Sequence, residues 1–305
     1  MCRLVLFVLL LVGVDWLVGI GGRRLMRSAI AGDTKRNEYI ANEMDAEVVL
    51  FGSSRCIHHY DSRLLADSLG MTVYNCGNNG MGIILFYARY RMLTERYVPK
   101  LVVYDALVGF DLQQSDNLGY LTWLKPYYDH PGVDSIFWKI APVERWKMWS
   151  NMYRYNGKVM QMIGDNLIQL REEMDGFRPL DGVMAYDPVL QDRYEPYEPD
   201  SIKLHYMGRL IRECRERGTK LVFALSPFYG GSVHTRETYA PLFRLAEQYG
   251  VPVLNHYSDS DMVHDRRYFA DTYHMNREGA SRYSQRLGGE LRQIIHVSSM
   301  NPTIK

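Results

Sequence analysis

The chain opens on an unbroken apolar stretch. Leu4 to Gly22 reads LVLFVLLLVGVDWLVGIGG and holds thirteen Leu, Ile, Val or Phe residues. That is long enough to span a bilayer as a helix. At roughly −0.3 to −0.6 kcal/mol each these residues sum to about −4 to −8 kcal/mol, against about +2.5 to +3.5 for Asp15, so insertion is favoured despite the acid. No small-x-small cleavage site is evident, and Cys2 lies before the apolar run. Residues 1–27 are therefore expected to be an uncleaved signal anchor rather than a removed signal peptide. Arg3 and the amino terminus flank one side; Arg23, Arg24 and Arg27 flank the other. Charge counting alone would leave the body in the cytoplasm.

Residues 28–46 are polar and read as a helical stalk or linker. A strand–helix beat follows. Glu47 to Gly52 is a short apolar run ending in glycine, the pattern of a buried strand. Asp61 can cap a short helix that stops at Gly70. Met71 to Asn75 predicts a second strand, Ile83 to Tyr97 a helix, and LVVYDAL, after Pro99, a third strand. From residue 113 to 200 the pattern changes to helical stretches rich in Trp and Tyr, read as an insertion. The beat resumes with a helix over Ser201 to Arg217, a strand over Lys220 to Leu225, a helix over Arg236 to Tyr249 and a fifth strand over Val251 to Leu254. Arg277 to His296 closes the chain as a helix. Five short apolar strands alternating with helices predict an α/β fold with a parallel sheet covered on both faces. Ligands of such sheets bind at the carboxyl ends of the strands. The loops after Gly52, Asn75, Leu107, Ser226 and Leu254 should thus share one rim.

Composition narrows the chemistry. With 36 basic and 35 acidic residues the net charge is +1, so no bulk field favours nucleic acid. Cys2, Cys56, Cys76 and Cys214 form no Cys-x-x-Cys pair and no spacing suited to zinc, and free thiols are expected. Neither a Walker loop nor a Rossmann glycine fingerprint occurs, so no cofactor or metal is expected.

Three polar segments fall on the predicted rim. VVLFGSSRCIHHYD, from Val48, puts Ser53 and Ser54 at the end of the first strand. CGNNGMG, Cys76 to Gly82, leaves the second. YFADTYHMNREGA, from Tyr268, sets Asp271 and His274 three apart before the last helix. A serine hydroxyl is a poor nucleophile until a base takes its proton, and a carboxylate fixes that base's tautomer. An Asp-x-x-His turn supplies both. Backbone N–H groups beside the serine can serve as an oxyanion hole. Asp261 and His264 repeat the Asp-x-x-His spacing and are a rival pair. Cys56 is a rival nucleophile that lies past the turn. Arg55, His58 and His59 are candidates for substrate binding or for plain loop positions, and the aromatic insertion for a packed core or a surface on which sugars stack.

Gly52-Ser53-Ser54, Gly80 and Asp271-x-x-His274 resemble three sequence blocks of the SGNH/GDSL hydrolases, and more narrowly the membrane-anchored extracytoplasmic members whose first block reads G-S-S. The resemblance covers Glu47 to Tyr104 and Lys220 to the end. It implies a three-layer α/β/α sandwich of flavodoxin-like type over 47–305. It implies Ser54 as nucleophile, His274 as base, Asp271 as its partner, and the N–H groups of Ser54 and Gly80 as oxyanion donors. It implies hydrolysis of acyl esters, with acetyl groups on a carbohydrate or another envelope ester as the expected substrate, and a body outside the cytoplasm. An O-acyltransferase of the same fold and a non-catalytic polysaccharide-binding protein are the alternatives. The family's third block supplies an Asn after the third strand. YDALVGFDL has none, and Asn78 or Asn79 is the substitute at hand.

Overall fold

The structure, a computed structural model, describes residues 1–114, 117–168, 173–190 and 192–300. The other residues of the 113–200 stretch lie outside the described ones. The chain divides into two compact units. One comprises Met1–Met44, Ala88–Arg96 and Asp116–Arg171; the other comprises Asp45–Tyr87, Tyr97–Ser115 and Glu172–Lys305.

In chain order the elements begin with α1 (Cys2–Arg27), α2 (Gly32–Asn42), β1 (Val48–Gly52), α3 (Ser54–His59), α4 (Ser62–Leu69), β2 (Val73–Asn75), α5 (Ile83–Leu93), β3 (Leu101–Asp105) and α6 (Val108–Asp111). The helices α7 (Leu118–Leu124), α8 (Val133–Ile140), α9 (Glu144–Lys147), α10 (Asn151–Tyr155) and α11 (Val159–Leu167) follow. Then come α12 (Ser201–Arg217), β4 (Lys220–Leu225), α13 (Thr235–Thr238), α14 (Ala240–Tyr249), β5 (Val253–Asn255), α15 (Ser260–Val263) and α16 (Arg277–Met300).

The five strands form one sheet in the order β2-β1-β3-β4-β5, every neighbouring pair parallel. Alternation along each strand builds two apolar faces. Val48, Leu50, Val103, Val222 and Ala224 pack in one core with Leu65 of α4 and Tyr283, Leu287 and Leu291 of α16. On the other face Phe51 and Tyr104 meet Phe86 of α5, and Tyr104 meets Phe223. Tyr87 of α5 in turn lies against Tyr206 of α12. The expected three-layer α/β/α sandwich with a five-stranded parallel sheet is borne out. The caps are local: Asp61 accepts from the N–H groups of Arg63 and Leu64, and Asp200 from those of Ile202 and Lys203. Free thiols are found at all four cysteines; Cys2 is exposed and the other three are buried.

In this order the chain reverses direction between β1 and β3, which opens a crevice at their carboxyl ends. Gly52 and Asp105 pair across that crevice. Gly52 has φ +149, and a Cβ there would sit 2.6 Å from the Asp105 carbonyl oxygen. Only glycine lets β1 end so close to β3.

In the other unit the polar stretch after α1, residues 28–44, carries the helix α2. α2 buries Thr34, Arg36, Ile40 and Ala41. Asp165 of α11 holds its start, accepting from the N–H of Thr34 at 2.9 Å through its carboxylate and from those of Ile30 and Ala31 at 3.1 Å through its carbonyl. Tyr120, Leu124, Tyr127, Ile136 and Phe137 are buried, whereas Trp138, Trp146 and Trp149 are exposed. The aromatics thus divide between core and surface.

Gly52→Ala is expected to destabilise the fold by about 1–3 kcal/mol, through strain and overpacking. The urea unfolding midpoint checks it: it should fall without a change in slope.

Candidate active site

The first turn of α3 begins where β1 ends. Ser53 is buried, and its Oγ has no hydrogen-bond partner among the described residues. Ser54, one residue on, is partly exposed. Its Oγ lies 2.8 Å from His274 Nε2. His274 Nδ1 lies 3.0 and 2.9 Å from the two carboxylate oxygens of Asp271. A carboxylate only accepts, so Nδ1 carries the proton and Nε2 accepts from Ser54. The structure therefore brings together Ser54, His274 and Asp271, residues 220 apart in the chain.

Asp271 is held by its own turn. Oδ1 accepts from the N–H groups of Tyr273 and His274 at 2.7 and 2.9 Å. Burial pushes the Asp271 carboxyl up, but the His274 hydrogen bond and these backbone donors outweigh it and hold the group below its ordinary value. It stays a carboxylate at neutral pH, the state that orients the imidazole and stabilises its protonated form. The next residues lock the turn to α16: Asn276 donates to the carbonyls of Gly182 and Arg267 and accepts from the N–H of Gly279.

The loop after β2 is tied to the same strand end. Asn75 donates to the carbonyls of Cys56 and Tyr60, and the N–H of Asn78 donates to the Gly52 carbonyl at 3.0 Å. Met81 N–H closes a turn onto the Asn78 carbonyl, with Gly80 in the left-handed region at φ +70. Asn78 is buried; Asn79 and Gly80 are exposed at the tip.

Arg55, His58 and His59 do not stand on an open rim. All three are buried. Arg55 donates to the carbonyls of Ala106 and Ser226 and to Tyr239 Oη, beside Asp105 at 3.9 Å. His58 Nδ1 lies 2.6 Å from the Arg178 carbonyl, and its ring meets that of His274 edge-on at 5.4 Å. His59 Nε2 accepts the N–H of Met275 at 3.0 Å, so the proton is on Nδ1, which donates to Ser226 Oγ at 3.1 Å. Ser226 Oγ in turn donates to Asp105 Oδ2 at 3.1 Å. Asp105 also accepts from Tyr60 Oη and from the N–H of Ser226. Burial raises the Asp105 carboxyl above its ordinary value, although Arg55 and these donors oppose it. Asp105, Ser226 and Tyr60 escaped the sequence reading. Asp105 and Ser226 close the apolar runs LVVYD and LVFALS, a position that by itself reads as the start of a loop.

The rival residues are placed elsewhere. Asp261 pairs with Arg286 and Arg282, and His264 is exposed. Cys56 is buried, with Sγ 3.5 Å from Asn75 Oδ1. Beside His274 stands a run of rings: Tyr273 is 61% exposed and meets Phe228, which stacks on Tyr257 at 5.2 Å and 11°.

No protein-family model and no curated protein matches the chain. Solved structures do. A provisionally named acylhydrolase from Bacteroides fragilis is 14% identical, over 80% of this chain and 87% of its own, with a TM-score of 0.38. A provisionally named lipolytic protein of the G-D-S-L family from Desulfitobacterium hafniense is 13% identical, over 81% and 98%, at 0.39. An acetyl xylan esterase is 12% identical, over 81% and 99%, at 0.41.

Burial pushes His59 well below the ordinary value of 6.5, and the Arg55 charge adds to it. The unfolded chain then takes up a proton that the fold refuses. The stability of the wild type relative to His59→Gln should be flat above about pH 7 and fall as the pH drops through about 6.5. Urea titrations from pH 5 to 8 check it; a pH-independent difference contradicts it.

Proposed function

We propose that the chain is a serine acyl-ester hydrolase of the SGNH/GDSL type, with Ser54 as nucleophile, His274 as general base and Asp271 as its orienting partner. The observation that carries this reading is the continuous hydrogen-bonded line Ser54 Oγ–His274 Nε2, His274 Nδ1–Asp271. Ser54 gives its proton to Nε2 as Oγ attacks the ester carbonyl. The protonated imidazole then returns that proton to the departing alcohol. Water, deprotonated by the same nitrogen, releases the acid from the acyl-serine. The N–H groups of Ser54 and Gly80 are assigned to the developing oxyanion. One such donor is worth about 2.7–4 kcal/mol, so a hole without the third-block Asn turns over more slowly but still works.

The substrate is assigned as an acylated carbohydrate, with acetyl as the acyl group. What supports this is the exposed Tyr273 beside the base and the stacked Phe228–Tyr257 pair behind it. Flat aromatic faces suit the apolar faces of sugar rings. The helix α1 is long and apolar enough to cross a membrane. We read it as a retained anchor with the body outside the cytoplasm. Retention is supported by the packing of Asp15, Gly19 and Gly22 against α10, which a cleaved leader would leave unpartnered. The anchor also favours, as a second reading, transfer of the acyl group to a sugar acceptor at the membrane.

In a panel of acetylated glycans and chromogenic esters, Ser54→Ala should abolish turnover, and Asp271→Asn should lower kcat by about 10²–10⁴-fold. Acetate release that persists in Ser54→Ala contradicts the assignment. Product that forms only when a sugar acceptor is added favours transfer. Tyr273→Ala should raise KM for glycans severalfold and leave kcat for a small chromogenic ester unchanged.

A further inference from the structure

Asp15 lies within the apolar run of α1, and its carboxylate is fully engaged. It accepts from Ser150 Oγ at 2.7 Å, from the N–H groups of Asn151 and Met152 at 2.9 Å each, and from Asn151 Nδ2 at 3.0 Å. These are the capping residue and first turn of α10. Below Asp15 on the same face come Gly19 and Gly22. A Cβ on Gly19 would lie 2.5 Å from the Asn151 side chain, and one on Gly22 would lie 2.6 Å from the Tyr155 ring. α10 thus runs along α1 at backbone contact, from Gly22 up to Asp15. Arg23, the first cation after the apolar run, is eight residues from Asp15, about 12 Å along the helix at 1.5 Å per residue. The start of α10 therefore sits well up the apolar part of α1.

The corner that leads into α10 is largely apolar where it faces outward; its exposed charge, Lys147, is paired with Glu144 at 2.6 Å. Val143, Trp146, Trp149 and Met152 are exposed, Trp149 at 78%, and Trp138 of α8 is exposed beside them. The Arg145 guanidinium lies over the rings of both Trp138 and Trp146, at 4.4 and 4.5 Å. Exposed tryptophans with cations on their rings are the composition of a membrane–water boundary, where the ring is buried and the long basic side chain reaches the headgroups. An acid within a spanning segment normally faces protein rather than lipid. Here the protein it faces is this corner.

We propose that the α9–α10 corner enters the lipid bilayer alongside α1, so that Trp146 and Trp149 form a second, non-spanning membrane contact. The proposal rests on reading α1 as inserted. The occupant is the bilayer, because Asp15, which holds Ser150 to Met152, is followed on α1 by Trp16 and Leu17, 60% and 61% exposed within the apolar run. The aromatic stretch then needs neither of the roles that its composition first suggests at this end, a core or a sugar platform.

Full-length protein in phosphatidylcholine vesicles tests this, in variants that keep one tryptophan and carry Phe at the other four. Trp149 and Trp146 should emit at short wavelength, lose emission to brominated lipid and resist aqueous acrylamide. Trp16 reports on α1 itself. Quenching of Trp16 by brominated lipid, with Trp146 and Trp149 quenched by acrylamide alone, overturns the corner and leaves the anchor standing. Acrylamide quenching of all three overturns both. A Trp149→Asp variant keeping Trp146 should show Trp146 moved toward the aqueous quencher; unchanged lipid quenching contradicts a shared insertion.

Discussion

One hydrogen bond organises the rim that carries the proposed site: the backbone N–H of Met275 donates to His59 Nε2. It ties the turn that carries His274 to the helix that carries Ser54. On its far side His59 is fixed through Ser226 Oγ to Asp105 at the end of β3. Arg55 adds the carbonyls of Ala106 and Ser226. The ends of β3 and β4, the start of α3 and the approach to α16 are thereby joined through polar groups buried under the rim. Such a network stabilises only when each member is satisfied; leaving one buried member unpaired costs about 1–3 kcal/mol. The buried polar layer is thus the constraint under which the exposed line of Ser54, His274 and Asp271 keeps its spacing.

This arrangement explains which histidine is available. His58 and His59 follow Ser54 directly, yet both point into the protein, one to the Arg178 carbonyl and the other to Ser226. His274 has one nitrogen on a carboxylate and the other on a hydroxyl, the arrangement a general base needs. Ser53, adjacent to Ser54, has its hydroxyl buried without a hydrogen-bond partner among the described residues.

Much of this was legible in the sequence. The five apolar runs gave the strands to within two or three residues, because parallel strands buried on both faces leave an uninterrupted apolar signature. Gly52-Ser53-Ser54 and Asp271-x-x-His274 drew attention because their spacing carries chemistry. The buried layer was not legible, since an Asp or Ser closing an apolar run looks like the start of a solvated loop until neighbouring strands bury it. His59 looked exposed for the same reason. The split of the aromatics also needed three dimensions: Tyr120 and Phe137 face inward while Trp146 and Trp149 face outward, although all four stand in one aromatic-rich segment.

The central claim is that Ser54, and not its neighbours, is the activated nucleophile. Treating the protein with a fluorophosphonate and mapping the adduct by mass spectrometry tests it most directly. A single phosphonyl group on Ser54, absent when His274 is replaced by Ala, is the predicted result. An adduct on Ser53 or Cys56, or labelling of Ser54 that survives the loss of His274, would contradict it.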